Sequence, residues 1–350
     1  MGSWSANLVH ELGPVSRDLT LTIIVPIMLR PPLGKPHLVA ALVMAVPLVL
    51  SACSSSSTDT ANSSTTAVAT PSGSAATATC PTAPVEVLVS VDQWGDIVSE
   101  LGGTCATVKT VLASSSVDPH DYEPSPADAA FFTGAKLIVV NGADYDPWAS
   151  KLAATSATNA PVVSAAEVTK TADGANPHLW YSPSAVTAVA DAVTAQLSKL
   201  EPESAEYFAS RRAAFTTALA PYDGLIAKIK AGATGKSYAA TEGVFDYLAK
   251  AVGLVNKTPQ GYQNASAAES DPSPGDIAAF QTALADKQID VLIYNTQTEG
   301  SVPEQIRSAA EAAGVPIVDV TETVPPGQTS FEGWQDGQLT ALAKALGVAV

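Results

Sequence analysis

"EPESAEYFASRRAAFTTALAPYDGLIAKIK" (Glu201–Lys230) is a run of thirty residues with no strand pattern in it. Its Ala, Glu, Lys and Arg content favours helix, and a continuous helix of this length would extend roughly 45 Å. Pro221 is expected to kink it, because proline lacks the N–H that an interior position needs. Together with the helical segment before it, the run leaves residues 183–231 without a strand. On either side the pattern is different: short β-rich runs alternate with helical ones. Candidate strands are 85–91, 106–112, 136–142 and 161–166 before the run, and 236–241, 290–295 and 315–320 after it. Ser125-Pro126, Ser182-Pro183 and Ser273-Pro274 read as helix starts, with Ser as N-cap and Pro at the first helical position. The expected fold is α/β: two parallel-sheet lobes, 80–200 and 232–350, joined by a linking helix over 201–231, with a ligand site in the interlobe cleft.

Outward from the lobes, the N-terminal 79 residues carry a different signal. Arg30 and Lys35 precede an apolar stretch, Leu38–Leu50, which is the layout of an export signal and too short for the about 20 residues that a membrane span takes. The stretch ends in Leu50-Ser51-Ala52-Cys53, which resembles a bacterial lipobox and implies acylation of Cys53. Residues 28–52 are therefore expected to be removed, and 1–27 to be an upstream extension, with Met28 as the start. Residues 53–79 are rich in Ser, Thr and Ala and read as a lipidated flexible tether with a reach of about 28 Å. The expected location is the outer face of the cell membrane, held there by the lipid anchor only. In an exported protein the remaining pair, Cys80 and Cys105, is expected to form a disulfide.

The chain has 46% hydrophobic residues, enough for a large core, and a formal net charge of -16. That charge argues against nucleic acid or an anionic membrane surface as partner and is compatible with a protein that meets cations. It lacks a G-x-S-x-G elbow, H-E-x-x-H, a Walker loop and a dinucleotide glycine fingerprint, so the chain is not expected to be an enzyme.

Histidine is the informative residue. Only four occur, and His10 and His37 lie in the leader. His120 in "DPHDYEP" and His178 in "NPHLWYSP" each follow a proline, in loops before Ser-Pro helix starts. Such loops lie past the C-terminal ends of parallel strands, where open α/β sheets bind ligands. Glu242 and Glu322 hold corresponding positions after strands of the second lobe. Two imidazoles and two carboxylates could enclose a divalent cation. Read one by one, the same residues could be structural histidines and solvated helix N-terminal acids.

"DPHDYEPSPADAAFFTGAKLIVVNGADYDPWASKL" (118–152) resembles the TroA-like zinc and manganese solute-binding lipoproteins of bacterial ABC importers. "NPHLWYSP", "EPESAEYF", "EGVFDYLAKAVGL", "DPSPGDIAAF" and "VPIVDVTET" carry the resemblance along the chain from Val85 to Leu346. It implies His120 and His178 as the first two metal ligands, Glu242 as the third and Glu322 as the fourth, with Asp319 as the alternative to Glu322. Three departures stand out. Asn176 replaces the family's Asp before Pro-His, Glu322 is longer than the common Asp, and "EVTKTADGAN" lacks the histidines of many zinc-specific members.

The implied function is capture of Mn²⁺ or Zn²⁺ as cargo and its delivery to an ABC importer permease and its ATPase by a monomeric binding protein. Two nitrogens with carboxylate oxygens lean toward Mn²⁺ or Fe²⁺, although Zn²⁺ accepts the same set. Competing readings are a binding lipoprotein for another small solute, a metallohydrolase and an adhesin.

Overall fold

The computed structural model describes residues 79–350, apart from 114–116, 118, 121, 173 and 299. The leader, Cys53 and nearly all of the tether therefore lie outside the described residues, as does Asp118 of the Asp-Pro-His motif. Among the described residues no helix is long and apolar enough to cross a membrane.

Two four-stranded parallel sheets form the frame. The first contains β1 (Val85–Val91), β2 (Ala106–Leu112), β3 (Leu137–Val140) and β4 (Val162–Ser164), in the order β2-β1-β3-β4. The second contains β5 (Ser237–Ala240), β6 (Val255–Asn256), β7 (Val291–Asn295) and β8 (Ile317–Val320), in the order β6-β5-β7-β8. The two orders are the same, so the lobes repeat one topology. In each sheet the order reverses at the first strand, which puts a crevice past its C-terminal edge. The central strands β1, β3 and β7 are buried nearly end to end and accordingly rich in Val, Leu and Ile.

All three Ser-Pro pairs cap helices: Pro126–Gly134, Pro183–Leu200 and Pro274–Ala285. Ser125, Ser182 and Ser273 each accept a hydrogen bond from a backbone N–H of the first turn. The run at 201–230 is not one rod. It comprises a short 3₁₀ turn, then helices Ala205–Ala218 and Ala220–Gly232 that meet at Leu219. Pro221 sits in the first turn of the second helix, where its missing N–H leaves no bond unmade.

One apolar core runs beneath both sheets, from Val87 and Trp94 through Val193 and Phe215 to Phe245, Leu339 and Leu342. The C-terminal helix, Phe331–Leu346, packs on helix Ala220–Gly232 and also meets the first lobe's helix Asp92–Gly102. There the Phe331 N–H donates to Asp96 Oδ2 at 2.5 Å. A smaller core of Tyr262, Phe280, Leu284, Leu292 and Ile306 serves the outer face of the second sheet.

A disulfide joins Cys80 to Cys105, with Cα atoms 5.0 Å apart. It ties the entry to β1 to the turn before β2. Closing a 25-residue separation restricts the unfolded chain and is worth about 3 kcal/mol.

Candidate metal centre

The site lies where the C-terminal edges of both sheets face each other. After β3 the backbone makes an unusual turn: Gly142, Ala143 and Asp144 all have positive φ (74°, 52° and 61°). Two of these are not glycine, so the turn stores strain. Buried Asp146 holds it by accepting from the N–H groups of Asn141 and Gly142, both at 2.8 Å, and from Ser90 Oγ at 2.5 Å. The result aims the Asp144 carbonyl at His120 Nδ1, 3.2 Å away, and sets the Tyr145 ring edge-on to the His120 ring at 4.8 Å.

His178 is positioned by two asparagines. Asn141 Nδ2 donates to the Pro177 carbonyl at 2.8 Å, and His178 Nδ1 meets Asn176 Oδ1 at 2.7 Å. An amide oxygen can only accept, so neutral His178 carries its proton on Nδ1 and turns the Nε2 lone pair toward the cleft. The other end of Asn176 reaches the second lobe, where Nδ2 donates to the Gly243 carbonyl at 2.7 Å. The amide of Asn176 thus adds a bond that a carboxylate cannot make.

From the second lobe comes Glu322. Its Oε1 accepts from the buried Tyr145 hydroxyl at 2.8 Å and lies 3.7 Å from His178 Nε2. That second distance is too long for a hydrogen bond and leaves an attraction of charge. Its backbone is clamped as well, the N–H by Gln297 Oε1 (2.6 Å) and the carbonyl by Gln93 Nε2 (3.1 Å). Ligand atoms of His120, His178 and Glu322 all lie within 4.8 Å of one another. Glu242 is not in this trio. Its Oε2 accepts from Asn295 Nδ2 at 2.8 Å and Thr298 Oγ1 at 2.5 Å, which hold it at the junction of two cavities. One cavity, of about 270 Å³, is lined by His120, His178 and Asp246, and the other, of about 810 Å³, by Asn295, Gln297 and Glu322; Glu242 and Glu269 line both.

Asp319 stands apart. It is exposed on β8 and paired with Arg307 Nη1 at 2.6 Å, so its carboxylate has a partner of its own away from the trio.

The electrostatics follow from burial against charge. Burial pushes the His178 pKa down, but Glu322, with Glu242 and Asp246 behind it, outweighs burial and leaves it raised. Burial pushes Glu322 up, and the His178 charge and the Tyr145 hydroxyl reverse this and leave it lowered. Burial, followed by the Glu322 charge, holds Tyr145 well above its ordinary value, so it remains a neutral donor. Without a cation the cleft thus favours a His178–Glu322 ion pair.

Residues 87–345 match the family described as "ZnuA: Zinc-uptake complex component A periplasmic". The chain belongs to that family. It is 25% identical over 217 residues to the "High-affinity zinc uptake system protein ZnuA" of Bacillus subtilis, covering 57% of this chain and 67% of the relative. To the "Manganese ABC transporter substrate-binding lipoprotein PsaA" of Streptococcus pneumoniae it is 24% identical over 243 residues, 63% of this chain and 74% of the relative. The fold matches the periplasmic zinc-binding protein TroA of Treponema pallidum with a TM-score of 0.62 at 20% identity, over 75% of this chain and 99% of that one. The family is one of substrate-binding components rather than enzymes, and both the zinc-named and the manganese-named relatives lie at similar distance.

Among the site residues that sequence reading missed are Tyr145, Gln297, Asn295 and Glu269. Each acts through a contact distant in sequence. The one local signal was "NGADYD" (141–146), a turn composition directly after a strand.

Proposed function

We propose that the protein is the extracytoplasmic solute-binding component of an ABC importer and captures one divalent transition metal ion, Zn²⁺ or Mn²⁺, between its lobes. His120, His178, Glu242 and Glu322 are the proposed ligands. The observation that carries the reading is the convergence of two imidazoles and a carboxylate, drawn from both lobes, within 4.8 Å in a partly buried cleft. Two neutral imidazoles and two carboxylates offset the charge of a +2 ion and offer nitrogen and oxygen donors suited to either metal. For Glu242 to join, its carboxylate turns from Asn295 and Thr298 toward His178, whose pKa already registers its charge.

The shared core and the C-terminal helix packed across both lobes favour a small tightening over a wide hinge opening. Tyr181 adds to this by donating to the Thr321 carbonyl at 2.6 Å, so the residue before Glu322 is anchored to the first lobe. Delivery of the ion to a permease and its ATPase, a monomeric state, and attachment to the outer face of the membrane through acylated Cys53 complete the proposal. The lobe boundaries 80–200 and 232–350, with the helices of 201–231 between them, belong to it too. The proximity of Glu322 to both imidazoles and the pairing of Asp319 with Arg307 support Glu322 over Asp319 as the fourth ligand.

The test is a titration of chelator-stripped protein with Zn²⁺ and with Mn²⁺ separately, following melting temperature and bound metal together. One ion per chain with a large upward shift is expected, and the metal giving the larger shift names the preferred cargo. No shift with either metal would refute the reading.

A further inference from the structure

We infer that Glu269 is a positioning residue of the cleft, a carboxylate of the second lobe that takes hold of His120 from behind and ties the two lobes together across the metal. The inference rests on the metal-capture reading above.

Glu269 Oε1 lies 3.3 Å from His120 Nδ1, the same atom that faces the Asp144 carbonyl at 3.2 Å. Both neighbours are acceptors, so neutral His120 keeps its proton on Nδ1 and presents Nε2 as the donor atom for a cation. The hydrogen bond from Nδ1 goes to the Asp144 carbonyl, and the Glu269 carboxylate stands beside that atom as a charge, which favours the positive charge the ring takes up when a cation binds its other nitrogen. His178 meets an amide oxygen at the equivalent atom, so His120 alone has a charged partner on its Nδ1 side. That partner comes from the opposite lobe. A cation drawn onto Nε2 polarises the ring and strengthens the Nδ1 contact, so binding and the grip between lobes reinforce each other.

The backbone at Glu269 points the same way. Helix Gln260–Ala267 ends in a Schellman cap, with Ser270 N–H donating to the Ala265 carbonyl at 3.0 Å and Glu269 N–H to the Ser266 carbonyl at 3.1 Å. Glu269 occupies the left-handed position of this cap, at φ 50°. Glycine suits that position best, and Gly314 and Gly347 fill it at the ends of helices Ser301–Ala313 and Phe331–Leu346. At 269 the chain instead carries a side chain that lines both cavities of the cleft. Lys287 supplies an internal control. It makes the same cap at φ 54°, with Gln288 N–H donating to the Ala283 carbonyl, but it precedes β7 and so lies at the sheet edge away from the cleft.

The experiment compares wild type, Glu269→Gly, Glu269→Gln and Lys287→Gly as chelator-stripped proteins. Each is titrated calorimetrically with Zn²⁺ and with Mn²⁺, and its metal-free melting temperature is recorded. Glu269→Gly is expected to bind about tenfold more weakly while its metal-free form melts about 2 °C higher, because the cap relaxes. Lys287→Gly should show the same rise with unchanged affinity. Glu269→Gln keeps the backbone and loses only the charge, so its affinity should fall in the same direction, by less, and its difference from wild type should shrink in high salt. Wild-type affinity in both Glu269 variants overturns the inference and leaves metal capture standing. Failure of wild type to bind either metal overturns both.

Discussion

The two lobes share a strand order yet contribute opposite chemistry. The first gives imidazoles, the second carboxylates, and they are held in different ways. In the first lobe a strained turn and a buried carboxylate, Asp146, set the surroundings of His120, while Asn141 and Asn176 fix the loop of His178. In the second lobe Glu322 depends on groups of the first, Tyr145 and Gln93, and Glu242 rests on Asn295 and Thr298 of its own lobe. The imidazoles are thus set mainly by their own lobe, with cross-lobe contacts from Asn176 and Glu269, whereas of the two carboxylates Glu322 leans on the other lobe and Glu242 does not. Repetition of topology has not produced repetition of site construction.

The largest expected break in this contrast comes from His178→Ala. It removes a proposed ligand and should weaken metal binding by more than the roughly 100-fold ceiling for changes behind the ligands, with metal titration as the check. Replacing both cysteines of the Cys80–Cys105 pair by serine tests the frame of the first lobe instead of the site. It should lower stability by about 3 kcal/mol and leave the one-ion stoichiometry intact, as read by denaturant unfolding and metal content. Asn176→Ala sharpens the comparison, since it cuts His178 loose and removes the bond to Gly243 in one step. About a tenfold loss of affinity is expected.

A pH series separates the empty from the loaded state. The raised pKa of His178 means that its ion pair with Glu322 stabilises the metal-free protein below pH about 6.5 and is lost as pH rises through the raised value. Metal binding runs in the opposite sense, because a protonated imidazole has no lone pair to give. The metal-induced rise in melting temperature should thus grow with pH. The smallest effect is expected from Asp319→Ala, which breaks an exposed pair with Arg307. Metal affinity should not change, and stability should fall by about 1 kcal/mol or less.

The architecture was legible wherever it rested on local pattern. Strands 85–91 and 106–112 appear with the bounds the alternation implied, and the Ser-Pro starts cap helices as expected. The two-residue strand Val255–Asn256 was not legible, because two residues carry no periodicity. The run at 201–230 looked like one helix because composition does not distinguish a kink from a junction; the break at Leu219 fell two residues before the proline that predicted it. His120, His178 and Glu322 could be located because each follows a strand or a proline. Tyr145 and Glu269 could not, since their roles arise from contacts 177 residues away in the first case and across the cleft in the second. Glu242 is the instructive case: sequence places it correctly after β5, but its carboxylate is engaged by neighbours that only the fold supplies.

The most direct test of the account is anomalous diffraction from crystals of the loaded protein, recorded at the absorption edges of zinc and of manganese. The account predicts one strong peak bounded by His120 Nε2, His178 Nε2, Glu322 and a turned Glu242. A peak elsewhere, for example among the carboxylates of half-buried Asp96 and Glu100 and buried Glu332, with none in the cleft, would contradict it.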